Sequence, residues 1–343
     1  MRRLPILATA LLVSASGVRA DVPNIVVDIP PVFSLVSSVM QGVGTPKLLL
    51  RGNESPHNFA LRPSQRRDLG QADIIFWIGE GLTPWLEKAQ ASLTQTPISV
   101  ALGKQTGVVQ LSFREGAFFE AHDEHDEHDE NDGHDEVNGH TEHNHAETHE
   151  NAAAHDGKDH QDHAGHDHSG LDPHFWLDPE NAIHWIYTIA DILSQTDPEN
   201  AGTYYANATR TKASLELLNK NIAQQMAPHR AERFLIVHDA FQYFEARFGL
   251  AAQGAISDGH AAPPSAARIL AIRKLMQNQK ISCVFAEPGY NAKLLDNLIS
   301  ETSVRLKQLD PLGAGLPLDH TLYEAVLQNM ADMMVACFTN DEG

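Results

Sequence analysis

The chain has 343 residues and a formal charge of −20, long enough for one large or two medium domains and nowhere basic enough for a nucleic-acid partner. The charge is concentrated. Residues 122–168 hold 16 Asp and Glu against one Lys, a net −15 that leaves the rest of the chain with the mild acidity of an ordinary soluble protein.

At the N-terminus, Arg2 and Arg3 precede an apolar stretch, Leu4–Val13, and Val18-Arg19-Ala20 reads as a cleavage site. Residues 1–20 are therefore expected to be a signal peptide. The stretch is too short for a membrane span, and no cysteine follows it to carry a lipid. Short apolar strands then alternate with amphipathic segments. Strands are predicted over Asn24–Asp28, Lys47–Leu50, Ile74–Ile78, Ile98–Val100 and Val108–Leu111, with helical patterns over Val32–Met40, Pro63–Leu69 (Ser64 as its cap) and Thr83–Leu93. Such βα alternation argues for a parallel sheet covered by helices.

Between residues 122 and 168 lie 13 of the 20 histidines, opening as three His-Asp-Glu triplets from His122, His125 and His128 and closing on His160, His163, His166 and His168. Imidazole is the commonest ligand for borderline metals, and carboxylates draw cations in. The segment lacks the large apolar residues needed to offset ordering entropy, so the expectation is a disordered loop, roughly 120–170, that gathers metal weakly.

Beyond the insert the pattern is helical over Asn181–Leu193. A longer helix is predicted from Asp197-Pro198-Glu199, with Asp197 as its cap, to Met226, where Pro228 ends it. It reads as a rigid connector. Strands at Phe234–Val237, Ile281–Ala286 and Val304–Leu309 then alternate with helices near 240–247, 264–278, Ala292–Thr302 and Thr321–Phe338, and the interval 252–263 reads as a loop. The expected fold is α/β: two βα lobes with parallel sheets, 21–180 and 229–343, joined through helices in 181–228, with a cleft between them. The even pair Cys283 and Cys337 reads as one disulfide in an oxidising compartment, two buried thiols being the alternative.

Seven histidines lie outside the insert. His57 follows the predicted strand ending at Leu50, and His238 directly follows Phe234–Val237. His174 sits in the proline-bracketed run Asp172–Pro179, and Asp310 ends the strand Val304–Leu309. In open α/β sheets ligands bind beyond the carboxyl ends of strands, and three imidazoles with one carboxylate suit tetrahedral zinc. Bland roles suit His184 (packed or solvated on a helix), His229 (at a helix end) and His320 (before the last helix). His260, in a loop beside Gly259, is the auxiliary candidate.

These residues carry a resemblance. Gly52–His57 with Leu61-Arg62-Pro63-Ser64, Asp172–Pro179, Val237–Phe244 and Leu309–Gly313 resemble, in order, the four ligand motifs of the cluster A-I (cluster 9) substrate-binding proteins of zinc and manganese ABC importers. Val284–Pro288 matches a further segment, and the likeness spans the mature chain. The resemblance implies a periplasmic, monomeric, non-enzymatic protein carrying Zn2+ to a permease whose ATPase acts indirectly, with His57, His174, His238 and Asp310 as ligands. His238 stands where manganese-type members carry Glu, and the acidic insert lies where zinc-type members have one. Some zinc-type members place Glu before the first ligand His; here Pro56 stands there. That favours Asp310 or a water as the fourth ligand, with Glu287 either a supporting carboxylate behind a ligand or a substitute one, and Glu54 a distant possibility. Asp172 or Asp239 is expected to fix an imidazole tautomer. The rival readings are a zinc buffer or adhesin with no transport partner, manganese or nickel as cargo, and a catalytic zinc. No general base in a recognised hydrolase motif supports the last.

Overall fold

The short apolar runs pair as two separate parallel sheets. In the first lobe, β1 (Ile25–Val27), β2 (Lys47–Leu48), β3 (Ile74–Trp77) and β4 (Ile98–Ala101) take the order β2-β1-β3-β4. In the second, β5 (Phe234–His238), β6 (Ala255–Ser257), β7 (Cys283–Ala286) and β8 (Arg305–Gln308) repeat it as β6-β5-β7-β8. The computed structural model describes residues 22–119 and 170–340, except positions 52, 53, 115, 117, 260, 261, 279 and 301. The expected signal peptide, the insert with His122, His125, His128, His160, His163, His166 and His168, and the auxiliary candidate His260 all lie outside the described residues. No helix among the described residues is long and apolar enough to cross a membrane.

Helices cover both faces of each sheet: α1 (Pro30–Val39), α2 (Pro63–Gly70) and α3 (Pro84–Gln90) in the first lobe, and α6 (Gln242–Phe248), α7 (Ala266–Asn278), α8 (Ala292–Ile299) and α9 (Leu322–Thr339) in the second half of the chain. Strands buried on both faces read as unbroken apolar runs, and the two-residue period sorts their side chains. Ile25, Val27, Ile74 and Phe76 point to a central core together with Phe234, Ile236 and Phe285. Their neighbours Val26, Ile75 and Trp77 face an outer layer under α2 and α3, and Leu235, Val237 and Val284 face one under α7 and α8. One hydrophobic core therefore runs through both lobes.

Two long helices complete that core. The first, α4 (Pro179–Thr196), is capped by Asp178, whose Oδ1 accepts from the Glu180 amide at 2.9 Å. The second, α5 (Ala201–Met226), has 26 residues, about 39 Å at the helical rise, and packs along α1, α4 and α9. Cys283 and Cys337 are bonded, fastening β7 to α9.

The structure corrects four local expectations. Residues 252–263 contain β6, an edge strand of small residues that the apolar pattern is too short to reveal. Val108–Leu111 joins neither sheet and runs as an extended limb; an antiparallel bridge follows at Ser112 with Leu171. The helix α2 starts from Arg62, with Pro63 in the first turn, so Ser64 is inside the helix and not its cap. Asp197 donates no cap to α5: a short 3-10 turn intervenes, and its Oδ2 accepts from Asn200 and the Tyr204 hydroxyl, both at 2.7 Å.

Candidate metal centre

The loop after β2, the turn that follows the insert and the carboxyl end of β5 bring His57, His174 and His238 together. Each offers one ring nitrogen, and those three atoms lie within 4.8 Å of one another. Ring centroids stand 5.6 Å apart for His57 with either partner and 5.1 Å apart for His174 with His238. His174 and His238 are 2% and 3% exposed, whereas His57 is half-buried.

Each loop is held by its own chemistry. His57 follows Pro56, whose carbonyl accepts from the Trp85 indole of α3 at 2.7 Å, and Phe59 packs against the same indole. His174 follows Asp172 and Pro173 in a tight turn. Asp172 Oδ1 accepts the His174 amide at 3.0 Å and sits 2.6 Å from His174 Nδ1. A carboxylate there accepts a hydrogen bond from Nδ1–H and so leaves the Nε2 lone pair for a metal. Burial pushes Asp172 up to about 7, against the pull of the His174 amide. His238 ends β5. Its Nδ1 lies 2.7 Å from Glu287 Oε2 and its Nε2 3.2 Å from the Gly259 carbonyl. Burial pushes this imidazole down, but the Glu287 carboxylate outweighs that and holds it up at about 9; the same contact holds Glu287 below the usual carboxylate range although burial opposes it.

Asp310 and Glu287 line the same cavity, of about 240 Å³, with Glu54 and Pro56. Neither belongs to the tight three-atom set. Asp310 Oδ1 accepts the amides of Leu312 and Gly313 at 3.1 and 2.8 Å, which fixes the carboxylate and leaves Oδ2 without a hydrogen bond among the described residues. Trp176 braces this loop, its indole donating to the Pro311 carbonyl at 2.8 Å. Glu54 is engaged by the Arg51 amide and by Arg62. Of the two carboxylates expected to orient an imidazole, Asp172 sits on His174, while Asp239 turns away to Arg114. Glu287 occupies the corresponding place at His238.

The remaining described histidines stay apart from the cleft. His184 is exposed over Gly107, His229 packs against Phe338, and the His320 carbonyl accepts from Ser38. Sequence reasoning missed Arg114 and the bracing indole of Trp85; it placed Trp176 among the aromatic groups that wall the cleft and fix the ligands, and it gave Glu287 an accessory role without naming His238 as its partner.

Two same-topology α/β lobes with imidazoles converging between them define a two-lobed metal-binding protein of the substrate-binding class. The chain belongs to the ZnuA family, zinc-uptake complex component A, periplasmic, which matches residues 25–337. High-affinity zinc uptake system protein ZnuA of Brucella suis biovar 1 (strain 1330) is 40% identical over 335 residues, covering 97% of each chain. The protein of that name from Paracoccus denitrificans (strain Pd 1222) is 40% identical over 337 residues, covering 98% of each. A crystal structure of ZnuA superposes with a TM-score of 0.66 at 23% identity, covering 91% of this chain and 99% of that one. A structure of FpvC from Pseudomonas aeruginosa in complex with Mn2+ does so at 0.70 and 18% identity, covering 93% and 99%. At these identities the structures attest the fold.

Proposed function

We propose that the cleft binds one Zn2+ through His57, His174 and His238, with Asp310 Oδ2 as fourth ligand, and that the protein hands this ion to an ABC permease. The carrying observation is the convergence of three imidazole nitrogens within 4.8 Å from three segments far apart in the chain. A nitrogen-rich set closed by one carboxylate suits tetrahedral zinc, whereas manganese prefers more oxygen. A binding protein needs a closed coordination shell, and Asp310 supplies the position that a catalytic zinc would leave to water. Family membership favours transport over a free buffer or adhesin. Export through the signal peptide 1–20, a monomeric state and lobes bounded at 21–180 and 229–343 complete the reading. In it the insert collects zinc at weak, entropically costly sites and raises the local supply.

Competitive zinc titration of the mature protein and its His57→Ala variant tests the site. One tight zinc per chain, lost in the variant, is expected. Full affinity in H57A rejects the ligand set.

A further inference from the structure

The approach to the insert does more than connect it. The described residues of 108–119 leave the first lobe and end on the second. Asn181 receives this limb at Val109, its Oδ1 accepting the Val109 amide at 2.7 Å. The Tyr243 hydroxyl of α6 then accepts the Leu111 amide at 2.9 Å and donates to the Asp172 carbonyl at 3.0 Å. The limb pairs with the chain returning from the insert, through Asp172 N to Leu111 O at 2.8 Å and Phe113 N to Gly170 O at 3.2 Å. It closes on the β6 edge, with a bridge from Phe118 to Gly254 and Phe119 N bonded to Gln253 O at 3.1 Å.

At its middle sits Arg114, 17% exposed, inserted between two carboxylates of the second lobe that are 4% and 3% exposed. Its Nε lies 3.1 and 3.2 Å from the oxygens of Asp239, and Nη2 also donates to Asp239. Nη1 and Nη2 donate to Glu245 at 2.8 and 3.0 Å, and the guanidinium carbon lies 3.8 Å from the centre of the Phe119 ring. Asp239 is the residue after His238. Phe113, next to Arg114, fills the space where a side chain on Gly259 would go, and the Gly259 carbonyl faces His238 Nε2. The same limb thus holds the turn bearing His174 from one side and the turn bearing His238 from the other.

Resting on the cleft reading above, we propose that Arg114 is a positioning residue for the metal centre. It pins the turn after β5 through Asp239 and Glu245 and so sets His238 against His174, making the stem of the histidine-rich insert an inter-lobe staple of the site. The role needs the planar fork. Five donors in fixed geometry satisfy two buried carboxylates at once, which a lysine ammonium cannot do. Two buried carboxylates left without that cation would open the turn.

The test uses cobalt(II) as a visible probe of ligand geometry in the mature protein. Two variants are compared with the unsubstituted chain: Arg114→Lys, and the neutralised cluster R114M/D239N/E245Q, which removes the charges without leaving one unpaired. The readouts are the cobalt absorption bands, the rate of metal release to a chelator, and thermal unfolding of the metal-free protein. Both variants are expected to bind one cobalt with altered bands and to release it about tenfold or more faster, the scale seen when groups orienting a ligand are lost. Unchanged bands and release in R114K, with only a lower unfolding temperature, overturn the proposal. So does a neutralised cluster that keeps the original bands and release rate. Tight one-to-one cobalt binding whose bands and release rate are unchanged in His57→Ala overturns the cleft reading itself, and this inference with it.

Discussion

His238 is the proposed ligand that would have to lose a proton to bind a metal. Both ring nitrogens face acceptors, Glu287 and the Gly259 carbonyl, and the imidazole titrates at about 9, so near neutral pH it carries both protons. A metal bound there must expel one. Calorimetry in buffers of different ionisation enthalpy at pH 7 should register about one proton released from this residue, and binding heats that do not depend on the buffer would refute it. The linkage has a definite sign. Because the folded value lies above the ordinary 6.5, the His238–Glu287 pair stabilises the metal-free fold fully below about pH 6.5, and its contribution is lost as pH rises through about 9. Unfolding temperatures of the metal-free protein should fall across that window, and the Glu287→Gln variant should show a smaller fall. The proposed ligands could be singled out in the sequence because each stands at a strand end, after one, or in a proline-bracketed turn. Their partners could not. Glu287 is 49 residues from His238 and Arg114 is 125 from Asp239, distances that no local pattern spans.

Among the elements, the ends of the strands decide the site and the long helices decide how firmly it is held. Strand and helix existence followed from short unbroken apolar runs alternating with amphipathic segments. It failed at β6, where Ala255-Ile256-Ser257 offers one large side chain, and at Val108–Leu111, whose extended limb imitates a strand without joining a sheet. The disulfide couples two elements that the sheet alone does not join, β7 and α9, across a separation of 54 residues. In the chain-entropy model a closure of that length contributes about 4 kcal/mol. The double variant C283S/C337S should unfold at a distinctly lower temperature while still binding one zinc, since neither sulfur lines the cleft. Loss of zinc stoichiometry in a folded double variant would show that the β7–α9 fastening also shapes the site.

At the scale of the whole molecule, the central core is the constraint on motion. Aromatic and aliphatic side chains from both sheets, α1, α4, α5 and α9 form one continuous cluster. Wide hinge bending would have to expose that apolar surface to water. Spin-label distances measured between the two lobes should change by less than about 2 Å on zinc binding, and a large closure would contradict the shared core. The insert stands apart from this constraint. Deleting residues 122–168 keeps the described limb through Phe119 and the return from Gly170, so the tight zinc should survive while the weak sites disappear. Uptake at scarce zinc should slow, and unchanged stoichiometry together with unchanged uptake would remove the gathering role. The sequence by itself determined the α/β class, the histidine-rich, acidic composition of the insert, the even pair of cysteines and the four segments proposed to bear ligands, because these depend on local periodicity, turn chemistry and residue type. Only the tertiary structure decided that the two lobes share one core, that Glu287 and not Asp239 meets His238, and that Arg114 fastens the insert's stem beside the ligands. Those depend on contacts between segments far apart in the chain, where folding, and not spacing, chooses the partner.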